Sequence, residues 1–295
     1  MPHELATQQI DAVTAPGSDA VKPGRPGRSV SVFVAAYNEA ENLEPTVDTI
    51  VRALDGAVED FEIIVVNDGS TDGTDKVADR LAAESSHVVV LHNPGNRGLG
   101  YGWMRAIEAA RMGSFVFIPG DNTWPYPSLR DLFGAMGRAD VITSYPTNSE
   151  IRDPARRLLS TTYTMGLNLL FGLNLRYFHG LTIYPTEFLR SNVITTYGFA
   201  SMAEALLRAI HHGYSYVAVP CAIEERATGR SNAVNAHNLR SVVDTISRLF
   251  FELRLRSRRG RTSTLGLLRP SRGATRGSPA GQAASPPATR TCGDV

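Results

Sequence analysis

The apolar positions of this chain come in two rhythms. Residues 30–36, 61–66, 88–93 and 115–118 form short, nearly continuous runs rich in β-branched side chains, the pattern of strands buried on both faces. Between them the apolar spacing changes to three and four residues over 46–54, 74–84, Leu99 to about Arg111 and 128–138, which predicts helices. Strand-then-helix repetition of this kind predicts an α/β domain whose mostly parallel, twisted sheet is flanked by helices. Beyond 141–143 the rhythm loosens. A long segment, 154–172, has its apolar residues on one side, and it precedes short strand-like pieces at 175–184, a helix at 199–212 and a strand at 214–219. The second half is therefore α+β in character. From Asn238 onward Leu239, Val242, Val243, Ile246, Leu249, Phe250 and Leu253 follow helical spacing, with Arg240, Arg248 and Arg254 on the other side and Arg256, Arg258, Arg259 and Arg261 behind.

Composition sets the limits of this domain. The chain has 295 residues, 42% of them hydrophobic, and a formal net charge of +1. That is enough apolar material for a substantial core, and no nucleic-acid partner is expected of so balanced a charge. Residues 1–28 and 261–295 are rich in Pro, Gly and small polar residues and are expected to be disordered tails. The working domain is 29–260, divided into a first half at 29–145, a second half at 146–235 and an amphipathic C-terminal helix at 236–260. No stretch is apolar enough to span a bilayer, and the N-terminus lacks the order of a signal peptide, so a cytoplasmic location is expected. Cys221 and Cys292 give no metal-ligand spacing and no disulfide framework, which argues against thiol chemistry.

In an open parallel sheet, ligands bind beyond the carboxyl ends of the strands. Those ends carry Tyr37, Asn38 and Glu39, then Asn67, Asp68 and Asp72, then residues 95–98, and finally Asp121 with Asn122. A dinucleotide site needs a glycine-rich turn after the first strand, and AAYNEAE has none. The glycines of GNRGLGYG lack the GxGxxG spacing, and no GxxxxGK[ST] is present, so nicotinamide-cofactor and P-loop chemistry are set aside.

Five landmarks in order, AYNEAENL, VVNDGSTDGT, NPGNRGLGYG, the strand ending at Asp121, and ERATGRSN, resemble those of family 2 glycosyltransferases. The resemblance covers about 31–250 and is nearest to the dolichol-phosphate and polyprenyl-phosphate mannosyltransferase-like branch. It implies a single GT-A-type, Rossmann-like domain, with 29–145 as its nucleotide-sugar-binding half and 146–235 as its acceptor-side half. It also implies that Glu39 and Asp68 accept hydrogen bonds from the base or ribose, that Tyr37 and Asn38 flank the nucleoside, and that Asn96 and Gly98 let the backbone pass close to the sugar nucleotide. Arg97 is either a phosphate contact or a surface charge, and Asp72 either a ligand or a helix cap. The family pattern at the end of the fourth strand is Asp-x-Asp. Here it is Pro119-Gly120-Asp121, so the earlier acid is missing. Asp121, with Asn122 beside it, is then either a reduced site for Mg²⁺ or Mn²⁺ or a turn residue.

The same resemblance implies that Arg226 pairs with phosphate, with Gly229 and Ser231 forming a turn beside it, and that Arg152, Arg156 and Ser160 grip an acceptor phosphate. His179 is expected to be structural. Glu204 is left open between an active-site contact, base included, and an ion pair with Arg208. The reaction expected is inverting transfer of a hexosyl group from a nucleoside-diphosphate sugar, GDP-mannose or a UDP-hexose, to a polyprenyl phosphate. The alternatives are a soluble enzyme acting on a hydroxyl or amine, and a sugar-nucleotide-binding protein without catalysis. The basic C-terminal helix either packs on the domain or brings it to a membrane as a peripheral contact.

Overall fold

Strand β1 (Ser29–Ala36) is the centre around which the first half assembles, and it is buried along nearly its whole length. Parallel pairing with β2 (Asp60–Asn67) on one side and β4 (Ser114–Pro119) on the other explains why these segments are continuously apolar rather than alternating. β3 (Val88–His92) adds the parallel edge beside β2. The helices between them are α1 (Leu43–Leu54), α2 (Thr74–Glu84) and α3 (Leu99–Ala109). The computed structural model of the chain describes residues 27–192, 200–225 and 246–255. The expected tails fall outside this range, save residues 27 and 28. Arg28 is already tied in, because its carbonyl accepts from Glu59 N at 2.7 Å.

After α4 (Tyr126–Gly134) and β5 (Val141–Pro146) the topology departs from a simple parallel series. The order across the seven-stranded sheet is β3-β2-β1-β4-β6-β5-β7. Here β6 (Thr182–Pro185) is a four-residue strand inserted antiparallel between β4 and β5, and β7 (Tyr216–Cys221) pairs parallel with β5. The strand-like pieces expected over 175–184 reduce to this one short element. It lies deep: Tyr184 is 1% exposed, and a Cβ on Gly180 would stand 1.8 Å from the Ser144 carbonyl oxygen, so only glycine admits the approach. The second half adds the helices α5 (Pro154–Phe171), α6 (Thr186–Ser191) and α7 (Ala200–His211).

Two apolar layers cover the sheet. Val30, Val32 and Val34 of β1 face one layer with Leu43, Ile50 and Leu54 of α1 and Leu132 and Phe133 of α4. Phe33 faces the other, among Trp103, Phe115 and Phe117, with Leu206 and Leu207 of α7. Side chains at i and i+2 share a face, so one strand supplies both cores. Each such fully buried side chain is worth about 1.5–3 kcal/mol.

The register sets a common edge. Ala36 pairs with Asn67, Asn67 with His92, and Ala35 with Pro119. The carboxyl ends of β1 to β4 therefore finish in one row, and the residues that follow them emerge on a common rim.

Candidate functional site

The loops after β1 and β2 are stitched to one another. Asn38 takes a left-handed backbone conformation, φ 57°. Its N–H donates to Ser70 Oγ at 3.0 Å, and its Oδ1 accepts from Thr71 N at 2.9 Å. Glu39 N donates to Thr74 Oγ1 at 2.9 Å and Ala40 N to Asp72 Oδ2 at 3.1 Å. Asp72 Oδ1 accepts from Thr74 N at the start of α2, so of its two readings the helix-capping one describes it. Burial opposes its charge, but the hydrogen bonds from Thr74 and Ala40 outweigh that and hold its carboxyl below the usual range. Glu39 is only 8% exposed, and its Oε2 accepts from Asn42 Nδ2 at 2.8 Å. Tyr37, by contrast, is 47% exposed on the rim and open to a flat ligand.

Asp68 reaches across to the next loop. Its Oδ1 accepts from Asn93 Nδ2 at 2.7 Å and from Arg97 N at 2.8 Å, and its Oδ2 accepts from Gly98 N at 2.7 Å. An ionised carboxylate offers about four lone-pair sites, so three donors leave roughly one acceptor position, on Oδ2, for a ligand. The two loops touch at a point where no side chain fits: a Cβ on Gly69 would meet Gly95 Cα at 2.5 Å. Gly98, at φ 84°, caps α3 and is held by Asp68, whereas Asn96 is exposed at the loop tip. Arg97 is exposed, its guanidinium 5.7 Å from the centre of the Tyr101 ring.

Asp121 follows β4 by the same logic. Gly120 N donates to Ala35 O at 3.0 Å, and a Cβ there would lie 2.7 Å from that oxygen, so the turn after β4 is pressed against the end of β1. Asn122 supports the turn in a left-handed conformation, φ 53°. Asp121 Oδ1 accepts from Thr123 Oγ1 at 2.9 Å. Among the described residues no group of three or more His, Cys, Asp or Glu side chains could hold a metal ion. One carboxylate still suits Mg²⁺ or Mn²⁺ when oxygens from outside the protein and water complete the shell, so these residues fit an ion that the protein holds only in part. Thr123 O accepts from Glu224 N at 2.9 Å, which brings an exposed acidic residue that the sequence reading passed over beside this turn. Arg226, Gly229 and Ser231, two residues and more beyond it in sequence, lie outside the described residues.

Across β5 stands an arginine- and tyrosine-bearing wall. Asp153 caps α5 by accepting from Ala155 N and Arg156 N, with Pro154 in the first turn. Arg152 donates to Tyr177 Oη at 2.8 Å, and Arg176 donates to Tyr145 Oη at 2.9 Å while lying 4.7 Å over that ring. Tyr163 and Tyr177 flank His179, with ring centres 4.9 Å and 6.2 Å away, which suits the structural role expected of that histidine. Burial raises the Tyr163 hydroxyl above its ordinary range. By helical spacing Arg156, Ser160, Tyr163 and Leu167 share one face of α5. Arg152 connects to that face through Tyr177 and His179. Tyr145, Tyr177 and Arg176 were missed in the sequence because their pairing spans 25 to 31 positions.

Glu204, left open between an active-site contact and an ion pair with Arg208, makes that ion pair. It is fully buried on α7, where its Oε1 accepts from Arg208 Nε at 3.0 Å and its Oε2 lies 3.4 Å from an Arg248 nitrogen. Arg208 also donates to both oxygens of Glu252, and burial, which works against its charge, is outweighed by these carboxylates. A carboxylate enclosed between guanidiniums is a structural ion pair, not a base open to an acceptor. The described part of the C-terminal helix is likewise used on the domain, because Leu249 and Leu253 are buried in the core. Of its two expected fates, packing describes this part, and its residues before 246 and after 255 lie outside the description. Cys221 is buried, and burial pushes its thiol up to about 12, which leaves it unreactive at neutral pH.

Comparison with known proteins adds an independent finding. The model of the family described as "Glycosyl transferase family 2" matches residues 31–193, more than half of the chain. Glycosyltransferase AglD of Haloferax volcanii is 30% identical over 82% of this chain, which spans 40% of that longer relative. Polyprenol monophosphomannose synthase of Mycolicibacterium smegmatis is 29% identical over 80% of this chain and 92% of its own. Glucosyl-3-phosphoglycerate synthase of Mycobacterium tuberculosis, crystallised with Mn²⁺, UDP and glucosyl-3-phosphoglycerate, superposes with a TM-score of 0.56 at 23% identity, over 75% of this chain and 80% of that one. That likeness concerns the fold, the GT-A arrangement of a mostly parallel sheet between helices.

The Glu204 assignment can be checked by denaturation. Glu204→Ala should destabilise the protein by about 3–5 kcal/mol, the usual cost of leaving one partner of a buried pair alone. An alanine variant of undiminished stability that has lost turnover would return Glu204 to the reaction.

Proposed function

Because the chain belongs to glycosyl transferase family 2, we propose that it catalyses inverting transfer of a hexosyl group from a nucleoside-diphosphate sugar, GDP-mannose or a UDP-hexose, to a polyprenyl-phosphate-type acceptor. The observation that carries this reading is the strand register, which brings Asn38, Asp68 and Asp121 to one rim at the carboxyl ends of β1, β2 and β4. Tyr37 and Asn38 flank the base, and the remaining acceptor position on Asp68 meets the base or ribose. Asp121 and Asn122 are the residues that would meet the diphosphate, and Asp121 would hold the divalent ion. A bound Mg²⁺ or Mn²⁺ supplies neutralisation of the charge that builds on the departing diphosphate. Arg226 and Ser231, by their place in the family motif, supply the protein's own donors to the same phosphates. The acceptor then attacks C1 from the opposite face, a reaction carried by positioning and electrostatics.

Two observations favour a phosphate acceptor over a hydroxyl or amine. Glu204, the base that the sequence offered, is enclosed in ion pairs. A phosphate monoester, with a second pKa near 6, is already an oxyanion at neutral pH and requires no base. Arg152, Arg156 and Ser160, on and beside the inward face of α5, are the groups that would hold it. The outward face of α5 favours a lipid-borne acceptor: Leu158, Met165 and Leu169 are 69%, 67% and 82% exposed in one stripe, with the exposed Arg157 to one side of it. Monomeric soluble proteins rarely leave such a contiguous stripe to water. No helix of the described residues is long and apolar enough to cross a membrane, so this stripe would rest on an anionic bilayer surface rather than enter it.

Asp121→Ala should lower metal-dependent turnover by about 10³-fold, the several kcal/mol that a bound cation supplies, with little change in stability. Unchanged activity in that variant would remove Asp121 from the metal. For the lipid surface, Leu158→Asp combined with Leu169→Asp should abolish co-sedimentation with phosphatidylglycerol-containing vesicles and leave the melting temperature within a few degrees. Undiminished co-sedimentation of the double variant rules out α5 as the contact.

A further inference from the structure

The carboxylate of Asp68 does not stand alone at the rim. Asn93, which supplies one of its donors, is itself 4% exposed, and its Oδ1 accepts from Arg105 Nη1 at 2.6 Å. The same nitrogen donates to His92 O at 3.0 Å, so the arginine of α3 grips the end of β3 in two places. No feature of the sequence marks Arg105, which reads as an ordinary polar position on a helix.

The chemistry of an amide gives this grip its consequence. Asn93 has one accepting end and one donating end, nearly equal in shape. With Arg105 on the oxygen, the NH₂ must face Asp68, and the 2.7 Å bond forms. If the amide turned over, its oxygen would stand against a carboxylate and repel it. A guanidinium cannot accept a hydrogen bond and does not lose its proton in a protein, so it enforces this one orientation at every ordinary pH. The chain of contacts then continues outward, from Asp68 Oδ1 to Arg97 N and from Asp68 Oδ2 to Gly98 N. A second set of contacts steadies the same corner. His92 bridges Asn67 Nδ2 and Asp79 Oδ1 at 3.0 Å each, and Asn67 Oδ1 accepts from Ser70 N at 3.2 Å.

We infer that Arg105 is a positioning residue for the donor nucleotide: acting through Asn93, it sets the direction of the Asp68 carboxylate and holds the Arg97–Gly98 backbone against it. The inference rests on the proposed donor site. Its effect belongs to nucleotide binding and not to the transfer step, because among the described residues none of these contacts reaches Asp121, Arg152 or Arg156.

The test uses the full-length protein with Arg105→Met, which keeps most of the stem and removes the donors, and with Arg105→Lys, which restores one donor. Amide hydrogen exchange at Arg97 and Gly98 should quicken by about tenfold or more in the methionine variant, with Phe33 of β1 unchanged, and the lysine variant should recover part of the protection. With GDP and UDP as probes in the presence of Mn²⁺, the dissociation constant of whichever binds, and the KM for the donor, should rise about tenfold while kcat changes by less than about threefold. Unaltered exchange at Arg97 and Gly98 in the methionine variant overturns the inference, and so does a fall in kcat at constant KM. The exchange measurement needs no ligand. If the unmodified protein binds neither nucleotide, the donor assignment fails and the inference of a nucleotide-positioning role fails with it, whereas normal binding with unaltered exchange sinks the Arg105 role alone.

Discussion

One carboxylate sets the geometry of the rim. Asp68 follows β2 and accepts three hydrogen bonds from the loop that follows β3. Bonds to an ionised acceptor contribute about 1.5–3 kcal/mol each, enough together to hold a loop that has little core of its own. The close contact of Gly69 with Gly95 and the positive φ of Gly98 are the conformations this attachment demands. The first amides of α3 would make a ready anion site, but the amide of its capping glycine is already committed to Asp68. The turn carrying Asp121, pressed against the end of β1, lies on the same row.

The other side of the rim follows a different principle. There the polar groups are cations arranged on aromatic rings, Arg152 on Tyr177 and Arg176 on Tyr145, beside a helix whose inward face is polar at its start. Guanidiniums held in place by tyrosines are less free to move, so less entropy would be lost on taking up a phosphate. Glu204, by contrast, serves the interior, where it pairs with Arg208, which in turn ties α7 to Glu252.

Much of this was legible in the sequence, for reasons that can be stated. Strands β1 to β4 announce themselves because parallel strands buried on both faces leave no room for polar alternation. Asp153 followed by Pro154 marks the start of α5 as capping chemistry requires. β6 was blurred because a four-residue antiparallel insertion has too few positions to show a period. The amphipathic pattern of the C-terminal helix was visible, but an apolar face looks alike whether it meets a core or a bilayer. α5 gave the converse difficulty, since its outward stripe of Leu158, Met165 and Leu169 reads like a packing face. The polar networks were least legible. Asp68 with Gly98 and Glu62 with Arg111 join residues 30 and 49 positions apart, and nothing in composition foretells such pairing. The role expected of Asp68 was also too simple, because most of its acceptor capacity serves the fold.

The central claim is that the Asp68 rim is where the nucleoside binds. Calorimetry of Asp68→Asn with GDP and with UDP, each with Mn²⁺, tests it most directly, because asparagine keeps the shape and removes the charge and one acceptor. Affinity for whichever nucleotide binds the unmodified protein should fall by about ten- to a hundredfold, the equivalent of one charge-assisted bond and the order it imposes. An affinity unchanged in a variant of normal fold would place the nucleoside somewhere else.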